Sequence, residues 1–483
     1  MSKLFNKYRS LSIYLRASFW FLICGFLQKG ISVITTPIFT RLLNTSEYGS
    51  YNVFNSWYSI VYIIVSLNLS GGVYQQGLVK FEKDRYKFSS SLQGLTITSI
   101  TIWTIVYFAC HNFFNDLFNL TTIQMLSMLC MTWTSATFGF WSYEQRVDLK
   151  YRTLVIVTLA VSLAKPILGI VLVTYSSDKV TARILGLAIV ELVGYSWCCF
   201  AQMYRGKVFF SKTIWKYALS FNLPLIPHYL SQIVLNNSDR IMIKSMVGDS
   251  AAGIYSLAYS LAVIMTIFNT ALSQTLTPWI YQKIKNREIK DLASIGYLSL
   301  LMIAIVNMLL ILFAPEIVAI FAPASYSQAI YCIPPISMSM LFLFSYDLFA
   351  RFAFYYEKTN YIMIASLVGA GLNILLNYYG IKAFGYIAAA YTTLICYILY
   401  STFHYIVMVS ICNTELDGIK PYSTKYLVIF GCLFLSCGFV GLFSYRFPLL
   451  RYTIIGVIAV CTIFNRRKIV ASINKIRALR KMK

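Results

Sequence analysis

Acidic residues are scarce in this sequence: 17 Asp and Glu stand against 41 Lys and Arg, and charged residues together make up only 12% of 483 positions. Soluble domains carry about 25% charged residues, so the shortfall argues against an ordinary soluble protein of this length. Long polar stretches are missing as well. Apolar runs recur almost without interruption from Leu11 to Phe464, which leaves no room for a soluble domain between them. Histidine occurs only three times, and the eleven cysteines include no C-x-x-C pair. Zinc-ligand spacing is therefore lacking. Cysteines such as Cys24, Cys130, Cys198, Cys199 and Cys432 read as small apolar helix residues, and no metal site is expected. The GxxxxGK[ST] signature, D-x-D, paired loop carboxylates and a Ser/His/Asp arrangement are absent too, which argues against ATP hydrolysis and glycosyl transfer.

What is present is hydrophobicity, 58% of the residues with a mean hydropathy of +0.66. A helix needs about 20 apolar residues to cross the hydrocarbon. On that criterion fourteen segments emerge, at about 17–43, 49–70, 89–112, 119–142, 153–175, 182–204, 215–238, 248–279, 292–314, 328–350, 359–379, 383–411, 425–444 and 450–465. The expected fold is an all-α integral membrane protein. Basic residues precede the first run, as in a signal peptide, but that run continues to about Leu43, too long for a cleaved segment. It is expected to stay as the first span.

The count is tested by the placement of Lys and Arg, which accumulate in cytoplasmic loops. With the N-terminus inside, 31 of the 41 basic residues fall on the inner side, and 8 fall outside: Arg41, Lys179, Arg183, Arg240, Lys244, Lys382, Arg446 and Arg451. One span more or fewer would reverse every later loop. The split therefore supports fourteen spans with both termini cytoplasmic. It also assigns the +24 net charge to topology and to anionic inner-leaflet lipids, the tail NRRKIVASINKIRALRKMK included, and not to nucleic acid.

Two basic residues escape this explanation. Lys29 lies 13 residues from Arg16 and 12 from Arg41, about 18–20 Å along a helix from either. Lys165 lies equally deep and precedes Pro166, which weakens a helix. A charge at that depth costs about 2.5–3.5 kcal/mol or more, so it faces a bundle interior or a watery cavity. A structural role would pair one of them with Glu191. Two deep cations with one comparably deep carboxylate favour a polar cavity that attracts an anion.

The seventh span, KYALSFNLPLIPHYLSQIVLNNSDR, is similarly unusual. Pro224 and Pro227 interrupt it, and His228 lies near its midpoint, where a bond to a backbone carbonyl is the simplest role. Asn236, Asn237, Asp239 and Arg240 make its outer half polar, and such groups need partners or water. Asp239 and Arg240 point about 100° apart on a helix and need not neutralise each other. Asp347 and Arg351, by contrast, have the i,i+4 spacing of a local ion pair.

A thin internal repeat is visible at an offset of 204 residues, which sets Gln28 on Gln232, Gly49 on Gly253 and Tyr51 on Tyr255. An even number of spans separates the copies, so the repeat is parallel. PIFTRLLNTSEYGSYNVF, Pro37 to Phe54, resembles the first-loop signature of bacterial polysaccharide transporters. NNSDRIMIKSMVGDSAAGIYSLAYSLA, Asn236 to Ala262, resembles the segment that opens their second half. That family comprises lipid-linked oligosaccharide flippases, O-antigen unit flippases among them, within the multidrug/oligosaccharidyl-lipid/polysaccharide exporter superfamily.

The resemblance implies two six-helix lobes, residues 1–204 and 205–411, around a central cavity, with two further helices and a basic tail in 412–483. It implies movement of undecaprenyl-diphosphate-linked sugar units, O-antigen or capsular or exopolysaccharide repeats, from the cytoplasmic to the periplasmic leaflet of the bacterial inner membrane. No cofactor is required. Membrane lipids, a polysaccharide polymerase and a chain-length regulator are the partners it suggests. The residues expected to hold the diphosphate are Lys29 and Lys165, with Arg240 and Arg41. Gln28, Glu191, Asp239 and His228 are expected as polar cavity residues, the last three able to bind a coupling H⁺ or Na⁺. The rivals are a drug/cation antiporter of the same superfamily, which would typically have twelve spans and acidic coupling residues, and an integral membrane polymerase or glycosyltransferase, which would need a larger outer loop.

Overall fold

The computed structural model describes residues 13–464. The basic tail assigned above to the membrane surface lies outside the described residues. Among these there is no strand, and the helices run as α1 (Ile13–Leu42), α2 (Thr45–Ser66), α3 (Gly72–Lys80), α4 (Arg85–Ala109), α5 (His111–Phe118), α6 (Thr122–Val147), α7 (Tyr151–Tyr175), α8 (Lys179–Gly206), α9 (Lys212–Asn222) and α10 (Ile226–Met246). They continue as α11 (Asp249–Ala262), α12 (Met265–Lys285), α13 (Leu292–Leu312), α14 (Ala314–Phe321), α15 (Ile333–Tyr355), α16 (Thr359–Phe384), α17 (Ala388–Glu415), α18 (Thr424–Phe443) and α19 (Pro448–Phe464). The chain forms two compact units that part between Asn237 and Ser238, inside α10.

All fourteen expected spans fall on helices, and ten helical stretches among the described residues are long and apolar enough to cross a membrane. The other four spans are α2, α6, α10 and the shorter α19. On α2 and α10 much of the polarity is satisfied within the helix itself. On α2, Asn52, Asn55, Ser56 and Ser59 each donate to the carbonyl four residues back. Asn236 and Asn237 do the same on α10, at 2.7 and 3.1 Å. Such bonds let a helix carry amides and hydroxyls without water.

Two expected spans differ in detail. The seventh breaks at Pro224 into α9, a 3₁₀ turn over Leu223–Leu225 and α10, since proline removes a backbone donor. The eighth divides at Val263 and Ile264 into α11 and α12. The stretch between the ninth and tenth spans holds the short helix α14 and a 3₁₀ helix over Ala324–Tyr331.

In the first unit α8 is the hub, packed against α4, α6 and α7, while α1 leans mainly on α7. Asp178 caps α8 by accepting from the Thr181 amide at 3.0 Å. The turn NTSE opens α2 as a capping box: Asn44 Oδ1 accepts from the Glu47 amide, and the Asn44 amide donates to Glu47, both at 2.8 Å. In the second unit α15 is the hub, buried against α12, α13 and α17. Its core includes Leu341, Phe344, Leu348 and Phe352. At one end of α15 Arg351 pairs with Asp347 as the i,i+4 spacing predicts.

Candidate functional site

The deep cations of the first unit are positioned by a close contact between α7 and α8. A Cβ on Gly186 would stand 3.0 Å from the Gly169 Cα, tighter than such contacts usually are, so glycine here favours the close approach of the two backbones. Lys165 lies one turn before Gly169, and Glu191 lies just over one turn beyond Gly186. On antiparallel neighbours those offsets bring the two side chains face to face. Lys165 Nζ donates to Glu191 Oε1 at 2.6 Å. The other carboxylate oxygen accepts from Thr134 at 3.1 Å and Ser135 at 3.0 Å, both on α6. The two partners differ in exposure: the Lys165 side chain is 27% exposed and that of Glu191 only 5%.

Lys165 forms part of the wall of a cavity of about 270 Å³ that α1, α2, α7 and α8 share. From α1 come Gln28, Ser32, Thr35 and Phe39, from α2 Tyr51, from α7 Ser162 and Pro166, and from α8 Arg183. Gln28 Nε2 donates to Ser162 Oγ at 3.2 Å and ties α1 to α7 across the cavity. Pro166 has no amide hydrogen to give the Ser162 carbonyl. The guanidinium carbon of Arg183 lies 3.3 Å from the centre of the Phe39 ring and 3.9 Å from that of Tyr51. Aromatic faces hold a cation without consuming its hydrogen-bond donors. The Nε and one Nη of Arg183 are buried with no hydrogen-bond partner among the described residues. The lining thus holds two cations and no carboxylate. With Lys165 neutralised by Glu191, Arg183 keeps the cavity positive, a chemistry suited to an anion with several oxygens.

The other expected site residues are distributed more widely. Lys29 is exposed on α1, about 100° around the helix from Gln28, and is not part of the cavity lining. Arg41, in the last turn of α1, donates to the Pro37 carbonyl at 2.8 Å, where a cation also complements the helix dipole. His228 lies in the first turn of α10, and its Nδ1 is buried with no hydrogen-bond partner among the described residues.

Asp239 and Arg240 belong to the second unit. Asp239 is 1% exposed. Its carboxylate accepts from Asn377 at 2.6 Å, Tyr255 at 2.6 Å and Thr393 at 2.8 Å. Ser238 donates to Asn373 at 2.8 Å, Asn377 donates to Asn373 at 3.1 Å, and Thr392 donates to Asn377. This network binds α10 to α11, α16 and α17 and surrounds a buried carboxylate with neutral N–H and O–H donors. Arg240 turns away to the Tyr259 ring, 4.3 Å from its centre.

Arg183 escaped sequence reasoning because the topology count placed it among outer-loop charges. A signal was available. Lys179 and Arg183 stand in the first turns of α8, where the helix dipole disfavours cations. Arg183 lies one turn inside, too deep to be a simple flank. The hydroxyls of Thr134 and Ser135 carried no signal, because Ser and Thr are scattered through every span. The internal repeat gains a chemical meaning: Tyr51 faces Arg183 in one unit, and its counterpart Tyr255 donates to Asp239 in the other.

Residues 14–284, more than half of the chain, match the family described as "Polysaccharide biosynthesis protein". Residues 224–379 match the MatE family. The Lsg locus putative protein 1 of Haemophilus influenzae is 21% identical over 361 residues, which cover 71% of this chain and 84% of that protein. Among solved structures, the lipid II flippase MurJ in an inward closed conformation superposes with a TM-score of 0.67 at 15% identity, covering 92% of this chain and 99% of MurJ. An inward-facing multidrug resistance MATE transporter of the MOP superfamily superposes with a TM-score of 0.59 at 11% identity, covering 80% of this chain and 96% of its own. At such identities the two structures speak for the fold, a multi-pass membrane transporter fold.

Proposed function

Because this chain belongs to the polysaccharide biosynthesis protein family, we propose that it is a flippase that carries undecaprenyl-diphosphate-linked oligosaccharide units from the cytoplasmic to the periplasmic leaflet by alternating access. The observation that carries the reading is the cavity of the first unit, lined by Lys165 and Arg183 with no carboxylate in its wall. A lipid-linked diphosphate is an anion, and a guanidinium whose Nε and one Nη have no partner among the described residues is a donor set that phosphate oxygens satisfy. The hydroxyls and amides of Gln28, Ser32, Thr35 and Ser162 supply neutral hydrogen bonds beside it. Transport of this kind makes and breaks no covalent bond. The buried Asp239 cluster is the site for a coupling cation, since its carboxylate is held by the neutral donors Asn377, Tyr255 and Thr393, with Asn373 and Thr392 bonded to Asn377 behind them.

The experiment is a deletion strain in which polyprenyl-linked intermediates are extracted and identified. Accumulation of a complete undecaprenyl-diphosphate oligosaccharide, with surface glycan lost, is expected. Normal surface glycan and no such intermediate would refute the reading. The MatE match over residues 224–379 favours a second reading, export of lipophilic cations. Binding separates the two: an anionic polyprenyl diphosphate is expected to bind the purified protein, and a cationic dye is not.

A further inference from the structure

Resting on that reading, the Lys165–Glu191 pair points to how a bound diphosphate is let go. The two partners are not equally held. Glu191 is the anchored one: its side chain is 5% exposed, and Thr134 and Ser135 bond its second oxygen from α6. Lys165 is the movable one. It is 27% exposed, it forms part of the cavity wall, and its four-carbon stem can carry the ammonium from the carboxylate into the cavity. When the lysine leaves, Glu191 keeps two hydroxyl donors and is not stranded, the condition that makes breaking a buried pair tolerable. The Tyr195 ring lies 5.7 Å from Lys165 Nζ in the paired position.

We propose that Glu191 is an internal competitor of the substrate: a diphosphate docks on Arg183, draws Lys165 away from Glu191, and is released when Glu191 takes Lys165 back. Glu191 touches no substrate. It is a positioning residue that keeps an otherwise strongly cationic cavity from holding its anion too tightly, which a transporter that must release its cargo requires.

The test uses the full-length protein in lipid nanodiscs with geranylgeranyl diphosphate as the probe for equilibrium binding, and proteoliposomes with a labelled polyprenyl-diphosphate glycan for turnover. Glu191→Gln keeps the shape and removes the charge. Its expected result is a diphosphate affinity roughly tenfold higher than wild type, the size of one charged hydrogen bond, together with slower turnover. A purely structural role would lower both. In Lys165→Gln/Glu191→Gln the gain in affinity is expected to vanish, because there is no lysine left to free. Glu191→Gln affinity equal to or below wild type, or a gain that persists without Lys165, overturns the proposal while wild-type binding leaves the flippase reading standing. A wild-type protein that binds no diphosphate overturns both. Thr134→Ala/Ser135→Ala serves as the second variant: without its hydroxyl donors Glu191 is stranded when Lys165 leaves and holds the lysine more tightly, so affinity is expected to fall and to recover when Glu191→Gln is added; a rise, or a fall that Glu191→Gln does not reverse, counts against the proposal.

Discussion

Replacing Arg183 by glutamine removes the cavity cation that, among the described residues, no carboxylate pairs with. The guanidinium offers buried Nε and Nη groups with no partner among the described residues. A bound phosphate takes charged hydrogen bonds from it, each worth about 1.5–3 kcal/mol. Two such bonds, discounted for water that reaches the cavity, amount to about 2–3 kcal/mol, so diphosphate affinity is expected to fall roughly 30- to 150-fold. Stability should hardly change. The contacts with Phe39 and Tyr51 contribute about 0.5–1 kcal/mol each, and removing buried N–H groups without partners returns about 1–3 kcal/mol. The Tm is therefore expected to stay within about 3 °C of wild type. Calorimetric titration of geranylgeranyl diphosphate into protein in nanodiscs, alongside a thermal melt, reads both quantities. Affinity within twofold of wild type at an unchanged Tm would refute the assignment of Arg183, and with it the anion-binding character of the cavity.

Further outcomes follow from the same geometry. Gly186→Leu forces side-chain atoms into the Gly169 backbone; an overpacking cost of about 1–3 kcal/mol should appear as a lowered Tm, and separation of Lys165 from Glu191 frees the lysine, so diphosphate affinity is expected to rise in the protein that remains folded, as in Glu191→Gln. Lys29→Gln, on an exposed face of α1 outside the cavity lining, is expected to change that affinity less than threefold, well short of the loss caused by Lys165→Gln; an equal loss would bring Lys29 back into the site. Asp239→Asn removes the buried carboxylate while leaving hydrogen-bonding groups for Tyr255, Thr393 and Asn377. It should fold yet lose any stimulation of transport by a Na⁺ or proton gradient, measured in proteoliposomes with and without each gradient. Undiminished stimulation would place coupling elsewhere.

The spans were legible because lipid imposes a single rule, that about 20 residues be apolar, and because Lys and Arg reveal loop sides. Even the polar spans were found, since α2, α6 and α10 alternate with loops whose charge fits only their presence. Breaks inside spans were less legible: Pro224 announced one, but nothing comparable marks Val263 and Ile264. The site was half legible. Depth alone singled out Lys165 and suggested Glu191, and the structure pairs them. Depth could not say which way a helix face turns, so Lys29 and Lys165 looked alike on paper and stand differently in the fold. Arg183 was misfiled by the very rule that sorted the topology, because one turn of helix separates an interfacial charge from one that bends inward to two aromatic rings.

The central claim, an anion-binding flippase, is tested most directly in proteoliposomes that hold the purified chain and an undecaprenyl-diphosphate oligosaccharide on one leaflet. The readout is exposure of the labelled sugar to a membrane-impermeant reagent on the opposite side. Protein-dependent exposure is expected, abolished by Arg183→Gln and by Lys165→Gln while both variants remain folded. Exposure no faster than in empty liposomes, with a lipophilic cation transported by the same vesicles, would contradict it.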